Sequence, residues 1–306
     1  MNCKKVVAMM VAVAVAGFAM AEEAVAATAD GNSAEEAEEL EEEEESSFCI
    51  GFDNDLFTAY VWRNSVVSDR AVWQPCVWAD WAFYDPFSVG FYVWQNWDFT
   101  HRRRPEMHRG MNETDFDVHF DVTAWQSDDE EMSLALQFGH VWYVNNVRDD
   151  YEKDYPTVNE LFAKATFSNP LVDVYFQFSE AYHPSAACSF EGGLTREIEL
   201  CDSLTLSGDW NLNFGSGKYL TDFLYGVGRN YNAAEDDFDS YLKNGIGGTT
   251  FKLALTWAVC DHFSLGLVGA YTAVLNGDVR SGLRDYGYPA AFRNLVWGGV
   301  QAKIEF

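Results

Sequence analysis

The chain has 306 residues, a formal net charge of −28 at pH 7 and 16% aromatic residues. So large a negative charge excludes a protein that holds nucleic acid on a basic surface. The mean hydropathy of −0.20 excludes a bundle of membrane-spanning helices, because each such helix needs about 20 predominantly apolar residues.

The first segment has the pattern of a secretory signal peptide. Lys4 and Lys5 precede an apolar run over residues 6–19, and Ala19 and Ala21 flank Met20 in the small-x-small pattern that signal peptidase recognises. We therefore predict a signal peptide over residues 1–21 and an exported mature chain.

The next segment, residues 22–47, is acidic and nearly free of large apolar residues, with an unbroken run of Glu over 41–45. Such a composition cannot bury enough surface to offset the entropy of ordering. We predict a disordered acidic linker over 22–47 and a β-barrel domain over 48–306.

The mature chain keeps five cysteines, an odd number that does not build a disulfide framework. No CxxC or His-rich spacing indicates a metal site. We predict no metal and no cofactor.

The rest of the sequence alternates between apolar and polar residues with a period of two. In residues 203–215, Leu204, Trp210 and Phe214 share one face, whereas Asp209 and Asn213 share the other. The pattern predicts an all-β fold with strands near 56–64, 71–84, 87–101, 114–127, 131–146, 161–168, 171–183, 188–201, 203–215, 246–260, 263–276 and 294–306.

The connections between these strands alternate between tight turns and mostly longer loops. An antiparallel up-and-down outer-membrane barrel predicts this alternation, with both termini in the periplasm. The strands of a secreted β-sandwich also alternate, because one face packs in a core and the other faces water, but a sandwich does not explain the alternating turn lengths. We therefore predict a transmembrane β-barrel of about 12 strands, in the outer membrane of a Gram-negative-type bacterium.

The last predicted strand ends in Phe306, with Ile304, Ala302 and Val300 at every second position before it. This ending resembles the carboxyl-terminal signature that outer-membrane barrels present to their assembly machinery. The resemblance implies that Phe306 is an assembly signal and that the barrel-assembly machinery is a partner.

The stretch 57–100 carries a further resemblance. Its motifs are a Tyr-x-x-Arg strand, a loop with Ser and Asp, a Gln-bearing strand and a Gly-aromatic strand, here Tyr60, Arg63, Ser68, Asp69, Gln74, Gly90, Phe91 and Tyr92. In these motifs the chain resembles the TorF-type porins. The resemblance implies a barrel with a pore and no particular substrate.

The positions that alternate with the apolar face would line a lumen. They include Asp98, Asp117, His119, Asp121, Asp173, Glu197, Glu199 and Asp209. Carboxylates in a narrow channel concentrate cations and repel anions, so we predict passage of small neutral or cationic solutes. The alternative is that these charges are solvated or pair across strands without selecting anything.

Aromatic residues share the inward parity of the first predicted strands, among them Tyr60, Trp62 and Trp94. We predict that these rings form an aromatic surface along which sugars move through the lumen, because ring faces pack against sugar C–H groups. The alternative is that they fill or plug the barrel, whose bore at twelve strands depends on such residues.

A basic cluster, Arg102, Arg103, Arg104 and Arg109, lies in a predicted outer loop of this acidic chain. Guanidinium groups pair well with phosphate, so we predict contact with lipopolysaccharide phosphates. The alternative is pairing with acidic loop residues such as Asp149 and Asp150.

The sequence thus predicts an outer-membrane porin-like channel for passive diffusion. One alternative is a structural or adhesive barrel with a closed lumen. A lipid-active enzyme would need a nucleophile beside a base on the outer wall. His140 has the lipid-facing parity, but no facing Ser with an orienting Asn can be identified, so we predict no enzyme activity.

Overall fold

The computed structural model describes residues 47–99, 110–145, 157–226, 228–232 and 237–306. The predicted signal peptide, residues 22–46 of the predicted linker, and Arg102, Arg103, Arg104 and Arg109 lie outside the described residues.

Twelve antiparallel strands form a closed barrel. They are β1 (Ser47–Phe57), β4 (Val72–Tyr84), β5 (Phe87–Asp98), β6 (Gly110–Gln126), β7 (Ser133–Asn145), β8 (Val158–Ser168), β9 (Asp173–His183), β10 (Ala187–Cys201), β11 (Leu204–Gly215), β14 (Gly245–Cys260), β15 (Phe263–Val274) and β16 (Asn294–Glu305). Each strand pairs with the next barrel strand along the chain, and β1 closes the ring against β16, with Gly51 opposite Glu305.

Two short hairpins lie outside this wall. One pairs β2 (Tyr60–Trp62) with β3 (Ser65–Ser68), and the other pairs β12 (Arg229–Asn232) with β13 (Asp237–Ser240). No helix in the described part of the chain is both long and apolar enough to cross a membrane.

The outer wall of the barrel is apolar on every strand. Large apolar side chains are exposed there, for example Ile50, Val77, Phe91, Phe120, Trp142, Leu161, Phe176, Leu194, Trp210, Leu253, Leu267 and Val300. Exposure to water would cost about 25 cal/mol for each Å² of this surface, whereas a bilayer solvates it. The prediction of a transmembrane antiparallel β-barrel of about 12 strands is confirmed.

The two ends of the barrel differ. The short-turn end carries the connections 85–86, 127–132, 169–172, 202–203 and 261–262, and the loop end carries 58–71, 184–186, 275–293 and the described parts of 216–244. Both ends of the barrel sequence meet at the short-turn end, where Ile50 N donates to Phe306 O (3.0 Å) and Phe306 N donates to Ile50 O (2.9 Å).

The prediction for the first strand, 56–64, is wrong. Strand β1 is Ser47–Phe57, and Tyr60 and Trp62 lie on β2 of a separate hairpin. The chain turns back after Trp62 because Arg63 and Asn64 adopt positive φ angles of 45° and 66°, the conformation of a tight two-residue hairpin turn. Tyr60 and Trp62 are therefore not wall residues.

Three of the loops fold into the loop end of the barrel and form a hydrophobic cluster, the loop-end core. Its buried members are Val66, Ala181, Ala187, Tyr219, Leu220, Leu224, Tyr225, Leu242, Val274, Val279, Leu283 and Phe292. They come from loop 58–71, from a π-helical turn (Tyr219–Tyr225) and Leu242 between β11 and β14, from the helix α1 (Gly277–Asp285) and a 3₁₀ turn (Ala290–Phe292) between β15 and β16, and from the wall. Ala181 and Ala187 have the inward parity of β9 and β10, so the loop-end core lies inside the barrel.

Candidate functional site

The inner wall is acidic. The strand registers place carboxylates at inward positions on most strands, including Asp53, Asp55, Asp80, Asp98, Asp115, Asp117, Asp121, Glu160, Asp173, Glu191, Glu197, Glu199, Asp209 and Glu305. The inward ammonium groups of the described strands are Lys164, Lys252 and Lys303. The described part of the inner wall is therefore net negative.

Part of this acidic wall forms a histidine–carboxylate cluster on β6. His119 Nδ1 lies 2.6 Å from Asp117 Oδ1, and His119 Nε2 lies 3.4 Å from Asp121 Oδ2. The His119 side chain is 8% exposed, and its ring centre lies 5.2 Å from that of Tyr92. Gly90 faces the ring on the neighbouring strand, where a Cβ would overlap with it. The cluster is thus packed against the wall.

The other predicted lumen carboxylates are spread along the barrel. Glu197 and Glu199 lie near the short-turn end and are exposed. Asp173 is half-buried at the start of β9, and Asp209 accepts from Asn211 Nδ2 at 3.3 Å. At the loop end, Asp98 Oδ2 accepts from Ser68 Oγ of β3 at 2.9 Å. The structure places all of them inside but does not gather them into one site, and their role in solute selection stays a prediction.

The predicted lumen aromatics meet through the hairpin β2–β3. The ring centre of Tyr60 lies 5.4 Å from that of Trp94 on β5, and Trp62 lies 5.4 Å from Tyr143 on β7. Tyr60 is buried, and Trp62 packs against the loop-end core. These rings fill the barrel beside the hairpin, and a sliding surface for sugars stays a prediction.

The tip of the hairpin carries an ion pair that the sequence analysis missed. Arg63 Nη1 donates to Glu160 Oε2 at 2.8 Å and Arg63 Nη2 donates to Glu160 Oε1. The Glu160 side chain is 1% exposed. Its inward parity on β8 was the available signal, but the predicted strand, 161–168, began one residue too late to include it.

Phe306 lies at the seam between β1 and β16, where its ring stacks on His262 with centres 5.3 Å apart. This position is compatible with an assembly signal, which stays a prediction. Among the residues that the structure covers, no group of three or more His, Cys, Asp or Glu side chains is arranged to hold a metal ion.

His140, the residue considered for an enzyme site, lies near the loop end of β7. Its Nε2 is 2.6 Å from Tyr182 Oη, and its ring centre is 3.8 Å from that of Trp142. The hydrogen-bond partner of this imidazole is thus a phenol on the outer wall and not a serine.

No family model matches the chain and no curated protein matches it, so the resemblance to TorF-type porins stays a hypothesis. Among solved structures, it is similar to an outer membrane channel from Pseudomonas putida F1, with 9% identity, a TM-score of 0.48, and coverage of 85% of this chain and 95% of that chain.

Two further structures show the same level of similarity. The NanC porin has 8% identity and a TM-score of 0.46, and the match covers 83% of this chain and 98% of that chain. Outer membrane phospholipase A from Escherichia coli has 10% identity and a TM-score of 0.43, with coverage of 85% and 92%.

Proposed function

We propose that the protein is an outer-membrane porin-like channel for passive diffusion of small neutral or cationic hydrophilic solutes. The observation that carries this proposal is the excess of carboxylates over ammonium groups on the inner wall of a barrel whose outer wall is apolar. Fixed carboxylates between low-dielectric walls raise the local concentration of cations and exclude anions. A channel of this kind selects by charge and size.

The loop-end core sets the size limit in this proposal. Leu220 and Ala181 are both 0% exposed, so the loops and the wall are in full contact at these points. A solute would pass beside the loop-end core, and we expect a small conductance and a low size cut-off.

We also propose an orientation of the barrel in the outer membrane and two contacts. The short-turn end, with both ends of the barrel sequence, faces the periplasm, as in outer-membrane barrels. Phe306 is presented to the barrel-assembly machinery, and Arg102, Arg103, Arg104 and Arg109 contact lipopolysaccharide phosphates. Membership of the TorF-type porins and the absence of enzyme activity belong to the same proposal.

A second function is favoured by one observation. The loop-end core has the burial of a protein interior, with Tyr219 and Val279 at 1% and 0% exposure. If this core seals the bore, the protein is a structural or adhesive barrel with a closed lumen.

Planar-bilayer recordings of the purified, folded barrel distinguish these functions. Under a KCl gradient, we expect discrete steps with a zero-current potential that shows preference for K⁺. If the protein forms no channels although its heat-modifiable gel mobility shows that it is folded, the closed barrel would be established instead. Anion-selective steps would contradict the proposed selectivity. Swelling of liposomes in neutral, cationic and anionic solutes of equal size provides an independent measure of it.

A further inference from the structure

The hairpin β2–β3 crosses the bore of the barrel. It is rooted between β1 and β4, and in the ring of twelve strands β10 lies on the opposite side from these two. At the hairpin tip, Arg63 Nη1 lies 3.5 Å from Ser189 Oγ on β10. The same atom contacts Glu160 on β8, which is two strands away from β10 in the ring. A segment that starts at one side of the ring and contacts the other side must span the lumen between them.

We propose that this hairpin is a stopper, and that the ion pair between Arg63 and Glu160 is the latch that holds it across the bore. Breaking the pair releases the tip and widens the channel. The widening of the channel rests on the proposed channel function. The role of the ion pair in holding the hairpin does not depend on that function.

The latch is a closed network of polar groups. Both guanidinium Nη atoms of Arg63 contact the carboxylate of Glu160. Tyr219 Oη donates to Glu160 Oε2 at 3.2 Å and accepts from Arg63, and Tyr143 Oη donates to Glu160 Oε1 at 3.4 Å. Such fork-to-fork pairing of guanidinium and carboxylate is geometrically specific. The network joins loop 58–71 to β7, β8 and the π-helical turn.

Burial of this ion pair couples it to the docked and released states of the hairpin. The side chains of Arg63 and Glu160 are 13% and 1% exposed, so neither charge is well hydrated while the hairpin is docked. When one partner is removed, the other is left as an uncompensated buried charge, which is strongly unfavourable. Undocking the hairpin lets water reach that charge. Loss of either partner therefore favours the released state.

The remaining hydrogen bonds of Arg63, Asn64 and Ser65 are with uncharged groups on β11, β14 and the π-helical turn. Asn64 Nδ2 donates to Gly248 O on β14 at 3.2 Å, and Asn213 Nδ2 on β11 donates to Arg63 O. Ser65 Oγ donates to Leu224 O at 2.7 Å. These neutral hydrogen bonds set the position of the tip, and each contributes less than a charge-assisted pair.

The backbone of the tip also favours release. Arg63 and Asn64 have φ angles of 45° and 66°, a left-handed conformation that Asn tolerates and that is unfavourable for Arg because of its Cβ. Such a residue persists where surrounding contacts enforce its conformation. Loss of the side-chain contacts of Arg63 removes this enforcement.

The test measures the hairpin and the channel separately. In Glu160→Gln and Arg63→Gln, hydrogen–deuterium exchange of the amides of residues 61–66 should accelerate about tenfold, because local opening exposes them. The single-channel conductance should rise by a factor of about two in the same variants, as water fills the vacated space. Folding of each variant is checked by heat-modifiable gel mobility.

The matched control is Glu197→Gln, which removes one inner-wall carboxylate near the short-turn end, far along the barrel from the tip. The exchange of residues 61–66 should stay at the wild-type rate in this control. If the two single variants fail to fold, Arg63→Lys provides the same test, because it keeps the charge and loses the two-pronged contact. It should accelerate exchange by a smaller factor.

The outcomes are distinct. Unchanged exchange in all latch variants would overturn the latch, whatever the conductance. Equal acceleration in Glu197→Gln would also overturn it, since the effect would then come from lumen charge in general. Accelerated exchange with unchanged conductance would overturn the stopper. Accelerated exchange with silent bilayers from wild type and variants alike would retain the latch and contradict the channel.

Discussion

The Nδ1 atom of His119 lies 2.6 Å from Oδ1 of Asp117, two residues earlier on the same strand, and the other ring nitrogen faces Asp121. Both carboxylates thus share one imidazole on the inner wall. The relationship has a consequence for stability, because removing the imidazole leaves two carboxylates without this partner.

We expect His119→Gln to lower the free energy of unfolding by about 1–3 kcal/mol, the range for a buried polar group that loses its partner. Urea unfolding in lipid vesicles, followed by tryptophan fluorescence, measures this change. Asp117→Asn keeps an acceptor for the imidazole and should cost less. An unfolding curve of His119→Gln that coincides with that of the wild type would show that the cluster does not stabilise the barrel.

The exposed carboxylates near the short-turn end should determine ion preference. In the double variant Glu197→Gln/Glu199→Gln, we expect the permeability ratio of K⁺ to Cl⁻ to fall, because two fixed charges at the mouth are lost. The zero-current potential under a KCl gradient measures the ratio. Asp202→Asn, in the adjacent turn, serves as the control and should have a smaller effect. An equal effect of Asp202→Asn would assign selectivity to overall charge.

The lipid-facing wall should reject a charge. Leu267 lies at the middle of β15 and is exposed on the outer wall. Leu267→Lys should lower the free energy of unfolding by about 2–4 kcal/mol, as for a lysine at the bilayer midplane. Ser207→Lys introduces the same charge on the inward face of β11 and should cost less. Equal costs in urea titrations would contradict the assignment of the two faces.

Asn276 caps helix α1. Its Oδ1 accepts from Asp278 N at 3.0 Å and from Val279 N at 3.2 Å. Asn276→Ala should cost about 1 kcal/mol, measured as faster hydrogen exchange of the first amides of α1. Asn276→Asp retains the acceptor and should restore the wild-type rate. If Asn276→Asp exchanges as fast as Asn276→Ala, the side-chain cap is not the cause.

The turn 127–132 should respond to acid. A hydrogen bond from Ser127 Oγ, at 2.5 Å, and one from Glu131 N lower the pKa of Asp129 below its ordinary value. Because the folded pKa is lowered, the ionised carboxylate stabilises the turn above the unfolded pKa of about 4, and this contribution is lost as the pH falls through the lowered value. NMR titration of the Asp129 carboxyl checks the sign. In Ser127→Ala the pKa should rise, and an unchanged pKa would exclude this hydroxyl as the cause.

The wall of the barrel could be predicted from sequence because each strand has one face toward lipid and one face toward water, so its side chains alternate between apolar and polar. Leu204, Trp210 and Phe214 alternate without interruption, and the observed strand β11 starts one residue from the predicted one. The same alternation predicts that Asp117, His119 and Asp121 lie on the inner face. A twofold period is a local property, so no knowledge of distant residues was needed.

The hairpin and the loop-end core could not be predicted in this way. Tyr60 and Trp62 alternate like wall residues, but a bend at residues 58–59 separates them from β1, and the turn at Arg63 and Asn64 reverses the chain after Trp62. The true first strand also alternates, with Phe48, Ile50 and Leu56 outside, but its Asn54 interrupts the apolar face. The partner of Arg63, Glu160, lies 97 positions away, and a pairing at that separation leaves no periodic signal.

The seam between β1 and β16 has a consequence for biogenesis. Cys49 and Glu305, which meet across it at 3.3 Å, are 256 positions apart in the chain. Until the final strand arrives, β1 presents a row of unsatisfied amides and carbonyls, a surface that invites misassociation with other polypeptides. Contacts of such long range also form late, because loop closure must be completed first. Pairing with β16 is what covers this edge in the folded barrel, and we expect a chain without β16 to leave it open.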